Sequence, residues 1–192
     1  MQREPFPSST LDDIIPHLAK AKLFAKFDLR NGYWHCVLDE ESSFATTFIT
    51  PIGRFRWLRL PFGLKISSEI FQRVLSRALE NLEGVFNVAD DVLICGCGET
   101  VKEAERDLSN KMLRFLERYL KQRIKLNKSK AELNKTKQEF LDHVITADGL
   151  ETDLRKVEAI ALMPRPKDPT EVRQFCRAIS YLARFALVYL TY

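Results

Sequence analysis

One stretch constrains the fold more than any other: Phe86-Asn87-Val88-Ala89-Asp90-Asp91-Val92-Leu93-Ile94. Two adjacent carboxylates sit between two apolar runs rich in β-branched residues. That pattern predicts a hairpin: strand, tight turn at Ala89-Asp90-Asp91, strand. Taken alone, an Asp-Asp pair is ordinary turn chemistry, because Asp is a common turn residue. A third acidic residue changes its weight. Leu23-Phe24-Ala25-Lys26-Phe27-Asp28 predicts another strand, and this one ends on Asp28. If the two strands lie side by side, three carboxylates meet at one end of a sheet.

Composition narrows the alternatives. A chain of 192 residues that is 45% apolar can bury a real core, which excludes global disorder. Its formal net charge of +4 is compatible with a nucleic-acid partner without demanding one. The four cysteines (Cys36, Cys95, Cys97 and Cys176) form no CxxC pair, and the three histidines stand apart. A zinc site is therefore not expected, and reduced thiols are the simplest reading. No apolar run reaches membrane-spanning length and no signal peptide is visible, so an intracellular setting, cytoplasmic or nuclear, is expected without a membrane partner.

In chain order, residues 1–9 read as an extended lead-in and Thr10 as the cap of a helix through Leu11, Ile14, Ile15 and Leu18, which Pro16 should distort. After Asp28, Asn31-Gly32 signals a turn and His35 to Leu38 reads as a strand. Phe48-Ile49-Thr50 and Arg54 to Leu58 read as strands around a Pro51-Ile52-Gly53 loop. Ser67 or Ser68 is the expected cap of a helix with an apolar stripe through Phe71, Leu75 and Leu79. A long amphipathic helix runs from about Glu99 to Gln122, with Val101, Ala104, Leu108, Met112, Leu113 and Leu116 as its expected buried side. Lys121 to Lys137 is strongly basic: a solvated face or a phosphate-facing surface. Phe140 to Thr146 reads as one strand. Two helices follow, the second capped by Asp168 with Pro169 in its first position. The expected class is α+β, a mostly antiparallel sheet backed by helices.

Oxygen-only ligands without His or Cys favour a hard cation, Mg²⁺ or Mn²⁺. Two such ions can activate an attacking hydroxyl and stabilise a leaving oxygen in phosphoryl transfer. Because neighbouring residues in a strand point to opposite faces, Asp90 and Asp91 need not be equal ligands.

Five segments carry a resemblance: Lys26-Phe27-Asp28-Leu29-Arg30-Asn31-Gly32-Tyr33, Leu60-Pro61-Phe62-Gly63-Leu64, Val88-Ala89-Asp90-Asp91, Leu126-Asn127-Lys128-Ser129-Lys130 and Phe140-Leu141-Asp142-His143. In order and spacing they resemble the motifs of a reverse transcriptase, of the kind in the Pol polyprotein of gypsy-type LTR retrotransposons. The resemblance implies a right-hand polymerase fold, with palm and partial fingers over residues 1–150 and the start of a thumb or connection over 151–192. It implies Asp28, Asp90 and Asp91 as the catalytic triad. Asp28 and Asp90 would be the main ligands of two Mg²⁺ (or Mn²⁺) ions, Asp91 a looser one, and the Leu29 carbonyl a further ligand. Tyr33 would act as the steric gate against a 2′-hydroxyl. Phe62, Gly63 and Lys130 would contact the incoming dNTP, with Lys130 facing the departing pyrophosphate. Leu141, Asp142 and His143 would grip the primer, and Arg54 and Arg56 would touch the template, RNA or DNA.

Five positions depart from the family pattern: Val88 where an aromatic is frequent, Asp142 and Arg177 where Gly is usual, and Ser67-Ser68 where Ala-Pro is frequent. Upstream fingers strands and the RNase H and integrase regions of a full-length polyprotein are expected elsewhere in such an architecture and are absent here. Two readings follow: an RNA-directed DNA polymerase domain, or a catalytically silent remnant of a retroelement that at most binds nucleic acid.

Overall fold

A computed structural model describes residues 11–18, 20–141, 143–151 and 154–189. The lead-in, the Thr10 cap and Asp142 lie outside the described residues. The chain opens with one α-helical turn, α1 (Leu11–Ile14), which tightens into a 3₁₀ turn over Ile15–Leu18. Pro16 accounts for the change, since it donates no N–H to an α-helical ladder. Strand β1 (Ala21–Asp28) follows, then a 3₁₀ turn at Gly32–His35 and a short helix α2 (Glu40–Ala45). A small hairpin, β2 (Phe48–Thr50) and β3 (Gly53–Phe55), leads to α3 (Ser67–Ala78). The acidic hairpin is β4 (Val85–Val88) and β5 (Asp91–Cys97), and helix α4 (Val101–Gln122) comes after it. The rest is β6 (Glu132–Lys135), a meander β7 (Lys137–Phe140), β8 (His143–Thr146) and β9 (Gly149–Glu151), then α5 (Leu154–Ala161) and α6 (Pro169–Tyr189).

Four strands form the central sheet in the order β4-β5-β1-β6, with every pair antiparallel. Side chains alternate across it. Leu23, Ala25, Phe27, Val92 and Ile94 face α3 and α4, where they meet Phe71, Leu75, Leu108, Phe115 and Tyr119. Phe24, Leu93 and Cys95 face the other way, onto Ile14, Leu18, Phe140 and Ile145. Both faces of β1 and β5 are thus buried, at about 1.5–3 kcal/mol for each large apolar side chain removed from water. No helix among the described residues is long and apolar enough to cross a membrane.

Several local expectations are corrected. His35 to Leu38 is not a strand: Asn31 takes a left-handed conformation, φ 58°, and turns the chain into the 3₁₀ turn, leaving one isolated bridge between Val37 and Arg59. The strand expected to run to Leu58 stops at Phe55. Helix α2 is an element the sequence expectation lacks, although Asp39 marks its start by accepting from the Ser42 N–H at 2.7 Å. Ser67 is not a cap but the first residue of α3, and its hydroxyl donates to the Pro61 carbonyl. On α4, Phe115 and Tyr119 are buried where Val101, Leu113 and Leu116 were expected. Phe140 to Thr146 is two strands around a turn at Leu141, whose φ is 49°. Asp168 does cap α6, accepting from the N–H groups of Thr170 and Glu171.

Strand β5 lies close against α4 at Gly96. A Cβ built there would come within 2.5 Å of the Ala104 carbonyl oxygen and 2.6 Å of Leu108 Cβ. Gly96→Ala is therefore expected to lower stability by about 1–3 kcal/mol in urea denaturation. Leu120→Ala, at a side chain 81% exposed on the same helix, should stay within about 0.5 kcal/mol.

Candidate active site

The register of β1 and β5 decides where the carboxylates stand. Asp28, the last residue of β1, pairs directly with Asp91, the first of β5. Asp91 is thus a strand residue, and the turn is Ala89-Asp90 alone. Like charges directly opposite each other are destabilising. Two lysines offset them. Lys130 Nζ lies 3.0 Å from Asp28 Oδ2, and Lys26 Nζ lies 3.3 Å from Asp91 Oδ2. Lys26 reaches Asp91 because it precedes Asp28 by two residues and shares its face of the strand.

Asp90 is held differently. Its carbonyl accepts the Leu29 N–H at 2.9 Å, which ties the two acidic segments through the main chain. Its carboxylate rests on Gly32: a Cβ there would lie 2.2 Å from Asp90 Oδ1. The turn below it is pinned by Gln72, a buried side chain of α3. Gln72 Oε1 accepts from the Ala89 N–H at 3.1 Å, and its Nε2 points to the Asn87 carbonyl at 3.5 Å. Ala89 needs that support, since its φ of 50° is unfavourable for a residue with a Cβ. Burial pushes the Asp90 carboxyl above its ordinary value. Repulsion from Asp28 and then Asp91 adds to this, while Lys130 and His35 oppose it.

Gly32, Gln72 and Lys26 were not singled out as site residues. Gly32 read as turn punctuation. Gln72 had a signal: a polar residue within the apolar stripe of α3.

The other sequence-predicted residues fall into three places. Tyr33 lies beside Gly32, half-buried, with its ring 4.9 Å from Phe62 and 5.2 Å from Phe71 and its hydroxyl 3.0 Å from Ser68 Oγ. Phe62 is exposed, and the backbone of Gly63 turns through φ 87° with open space around it. Leu141 and His143 line a cavity of about 380 Å³ that also takes in Asp91, Lys26 and Arg155. His143 is itself buried, and its Nδ1 is 2.6 Å from the Leu141 carbonyl. Arg54 and Arg56 belong to a separate region. Arg54 is on β3, and Arg56 stacks 4.1 Å over Phe44 with Glu40 at 3.8 Å.

The three aspartates do not converge on a single point. Among the described residues no three His, Cys, Asp or Glu side chains come together closely enough to hold a metal ion. Asp28 is paired with Lys130, Asp91 with Lys26, and Asp90 rests against Gly32. The donor chemistry nonetheless suits a hard cation: oxygen ligands only, on an Asp90 whose proton affinity is raised first by burial and then by the two neighbouring carboxylates.

Residues 2–145 match the family model for reverse transcriptase (RNA-dependent DNA polymerase). The chain belongs to the reverse transcriptase family. Its relatives include the retrovirus-related Pol polyproteins of two Drosophila melanogaster transposons. The chain is 32% identical to that of transposon 412 over 95% of its length, and 32% identical to that of gypsy over 95%. It spans only 14% and 17% of those relatives. Among solved structures, a foamy viral protease-reverse transcriptase in complex with double-stranded DNA superposes with a TM-score of 0.77 at 22% identity, covering 93% of this chain and 31% of that one. The same enzyme in complex with an RNA/DNA hybrid gives 0.73 at 22% identity, covering 92% and 23%. The α+β fold is thus the fold of a reverse transcriptase.

The raised proton affinity of Asp90 sets a sign. The folded reverse transcriptase domain binds this proton more tightly than the unfolded chain. Stability is therefore lost as pH rises from the ordinary value of 3.8 through the raised folded value, and stays lower above it. Asp90→Asn removes that loss. It should melt at a higher temperature than the parent at neutral pH, with the gap closing as pH falls toward 3.8.

Proposed function

We propose that this chain is the catalytic palm of an RNA-directed DNA polymerase, with residues 1–150 as palm and partial fingers and 151–192 as the start of a thumb or connection. The observation that carries the reading is the register that sets Asp28 opposite Asp91, with Asp90 in the adjoining turn. Membership of the family supports it.

In this reading Asp28 and Asp90, helped by Asp91 and the Leu29 carbonyl, hold two divalent cations, Mg²⁺ or Mn²⁺. Bound there, the ions lower the pKa of the attacking hydroxyl and offset charge on the leaving oxygen. The primer 3′-hydroxyl loses its proton to solvent, and its oxygen forms a bond to the α-phosphorus of a dNTP. The bond from that phosphorus to the bridging oxygen breaks, and pyrophosphate leaves. Lys130, already beside Asp28, turns to the β- and γ-phosphates and neutralises the departing pyrophosphate. Gly32 and Gln72 keep the Asp90 turn in place while charge develops.

Tyr33, braced by Phe71 and Ser68, presents its ring beneath the sugar of the incoming nucleotide and leaves no room for a 2′-oxygen. Phe62 and Gly63 border the same nucleotide. Leu141, Asp142 and His143 hold the primer end near Asp91. Arg54 and Arg56 meet the template, an RNA or DNA strand. The complexes solved for the foamy viral enzyme, with double-stranded DNA and with an RNA/DNA hybrid, support these partners.

Primer extension on an RNA template with Mg²⁺ or Mn²⁺ tests the reading. The chain should extend the primer. Asp28→Asn and Asp90→Asn should each reduce extension at least about 100-fold, because removing a cation ligand costs several kcal/mol of transition-state stabilisation. No incorporation at saturating primer-template, from protein that melts cooperatively, would overturn it. In the same assay Tyr33→Ala should raise ribonucleotide incorporation relative to deoxynucleotide by about tenfold or more.

A further inference from the structure

One cavity lies apart from the three aspartates. It is a groove of about 750 Å³ on the other side of the Gly32–His35 turn. None of Asp28, Asp90, Asp91, Tyr33, Phe62, Gly63 or Lys130 contributes to its wall. Five cations do: Arg30, Arg56, Arg59, Arg123 and Lys125. No carboxylate lines it.

Arg56 pairs with Glu40 at 3.8 Å. Among the described residues the other four make no ion pair. They come from three distant parts of the chain, and the main chain holds them in place. The Arg30 N–H donates to the Lys125 carbonyl at 2.9 Å, and the Lys125 N–H donates to His35 Nε2 at 2.9 Å. Arg123 is fixed as the left-handed residue that ends α4, at φ 56°. Like charges gathered this way repel one another, and an anion bound between them relieves that repulsion. Two indoles, Trp34 and Trp57, complete the wall and remain substantially exposed.

We propose that this groove is a second anion site that binds an oligophosphate, either free pyrophosphate or the phosphate chain of a nucleoside triphosphate, without a divalent cation. Guanidinium groups match phosphate oxygens with paired donors, and the arrangement is formed before the ligand arrives. The volume is that of a small-molecule site and not of a strand-length channel. The exposed indoles offer a stacking surface for a base if the ligand is a nucleotide. The proposal does not rest on the polymerase reading, because it concerns binding without metal.

The test is equilibrium dialysis of labelled ATP against the full chain in EDTA at low salt. Without divalent cations the repulsive carboxylate site does not hold a triphosphate. ATP should bind, and the double variant Arg59→Glu/Lys125→Glu should weaken binding at least tenfold, by reversing two charges, while keeping the parent melting temperature. Asp90→Asn should not weaken it. Pyrophosphate competing as well as ATP, with Trp34→Ala silent, identifies the phosphate chain alone as ligand. ATP binding more tightly, with Trp34→Ala weakening it, identifies a nucleotide. Binding unchanged in a folded double variant overturns the proposal. So does displacement of ATP by oligothymidylate at lower concentration than by pyrophosphate, since that is the behaviour of a single-strand groove. If that variant loses its fold, Arg123→Gln and Trp57→Ala carry the same two readings.

Discussion

Asp28 and Asp91 face each other across two hydrogen-bonded strands, an arrangement that costs energy, and much of the surrounding structure offsets that cost. The opposition follows from register, and register follows from burial. A slip of one residue in β1 would drive Lys26 and Asp28 into the core beneath α3 and α4 and take Ala25 and Phe27 out of it. Because β1 and β5 are packed on both sides, the core holds the two carboxylates opposite each other. Lys26 and Lys130 then supply the compensating charge.

The end of the sheet is therefore polar on one side and tightly filled on the other. Asp28 and Asp91 share the face that leads to the β7–β8 turn, where Leu141 and His143 close a cavity over Asp91. Asp90 stands in the turn, against Gly32 and above the Gln72 amide. The space around Asp90 is filled, since a single methyl on Gly32 would overlap its carboxylate. Val88, where the family often carries an aromatic residue, keeps the strand intact: it pairs with Asp91 and packs beside the second core.

The acidic hairpin was legible because two β-branched runs flank a short polar turn, and the strand ending at Asp28 because it is apolar and short. The long helices were legible from their periodicity, but the buried side of α4 was not. Phe115 and Tyr119 fill the space over Phe27, with ring centroids 5.1 Å apart for Phe27–Phe115 and 4.2 Å for Phe115–Tyr119. An apolar stripe read from sequence does not say which of two overlapping faces meets a sheet. The strand expected at His35 failed for a tertiary reason as well, since that imidazole bonds the Gly32 carbonyl and the distant Lys125 N–H. The five cations of the basic groove are scattered from Arg30 to Lys125, and only the fold gathers them.

In the proposed function Asp28 and Asp90 hold the divalent cations, and Lys130 leaves Asp28 when they bind. The most direct measurement is an anomalous-difference map from crystals of the chain soaked in Mn²⁺ with primer-template and a non-reacting dNTP analogue. The expected result is a peak in contact with both Asp28 and Asp90, with Lys130 moved off Asp28 toward the phosphates. Ion pairs unchanged at saturating Mn²⁺, with no peak between those two aspartates, would contradict it.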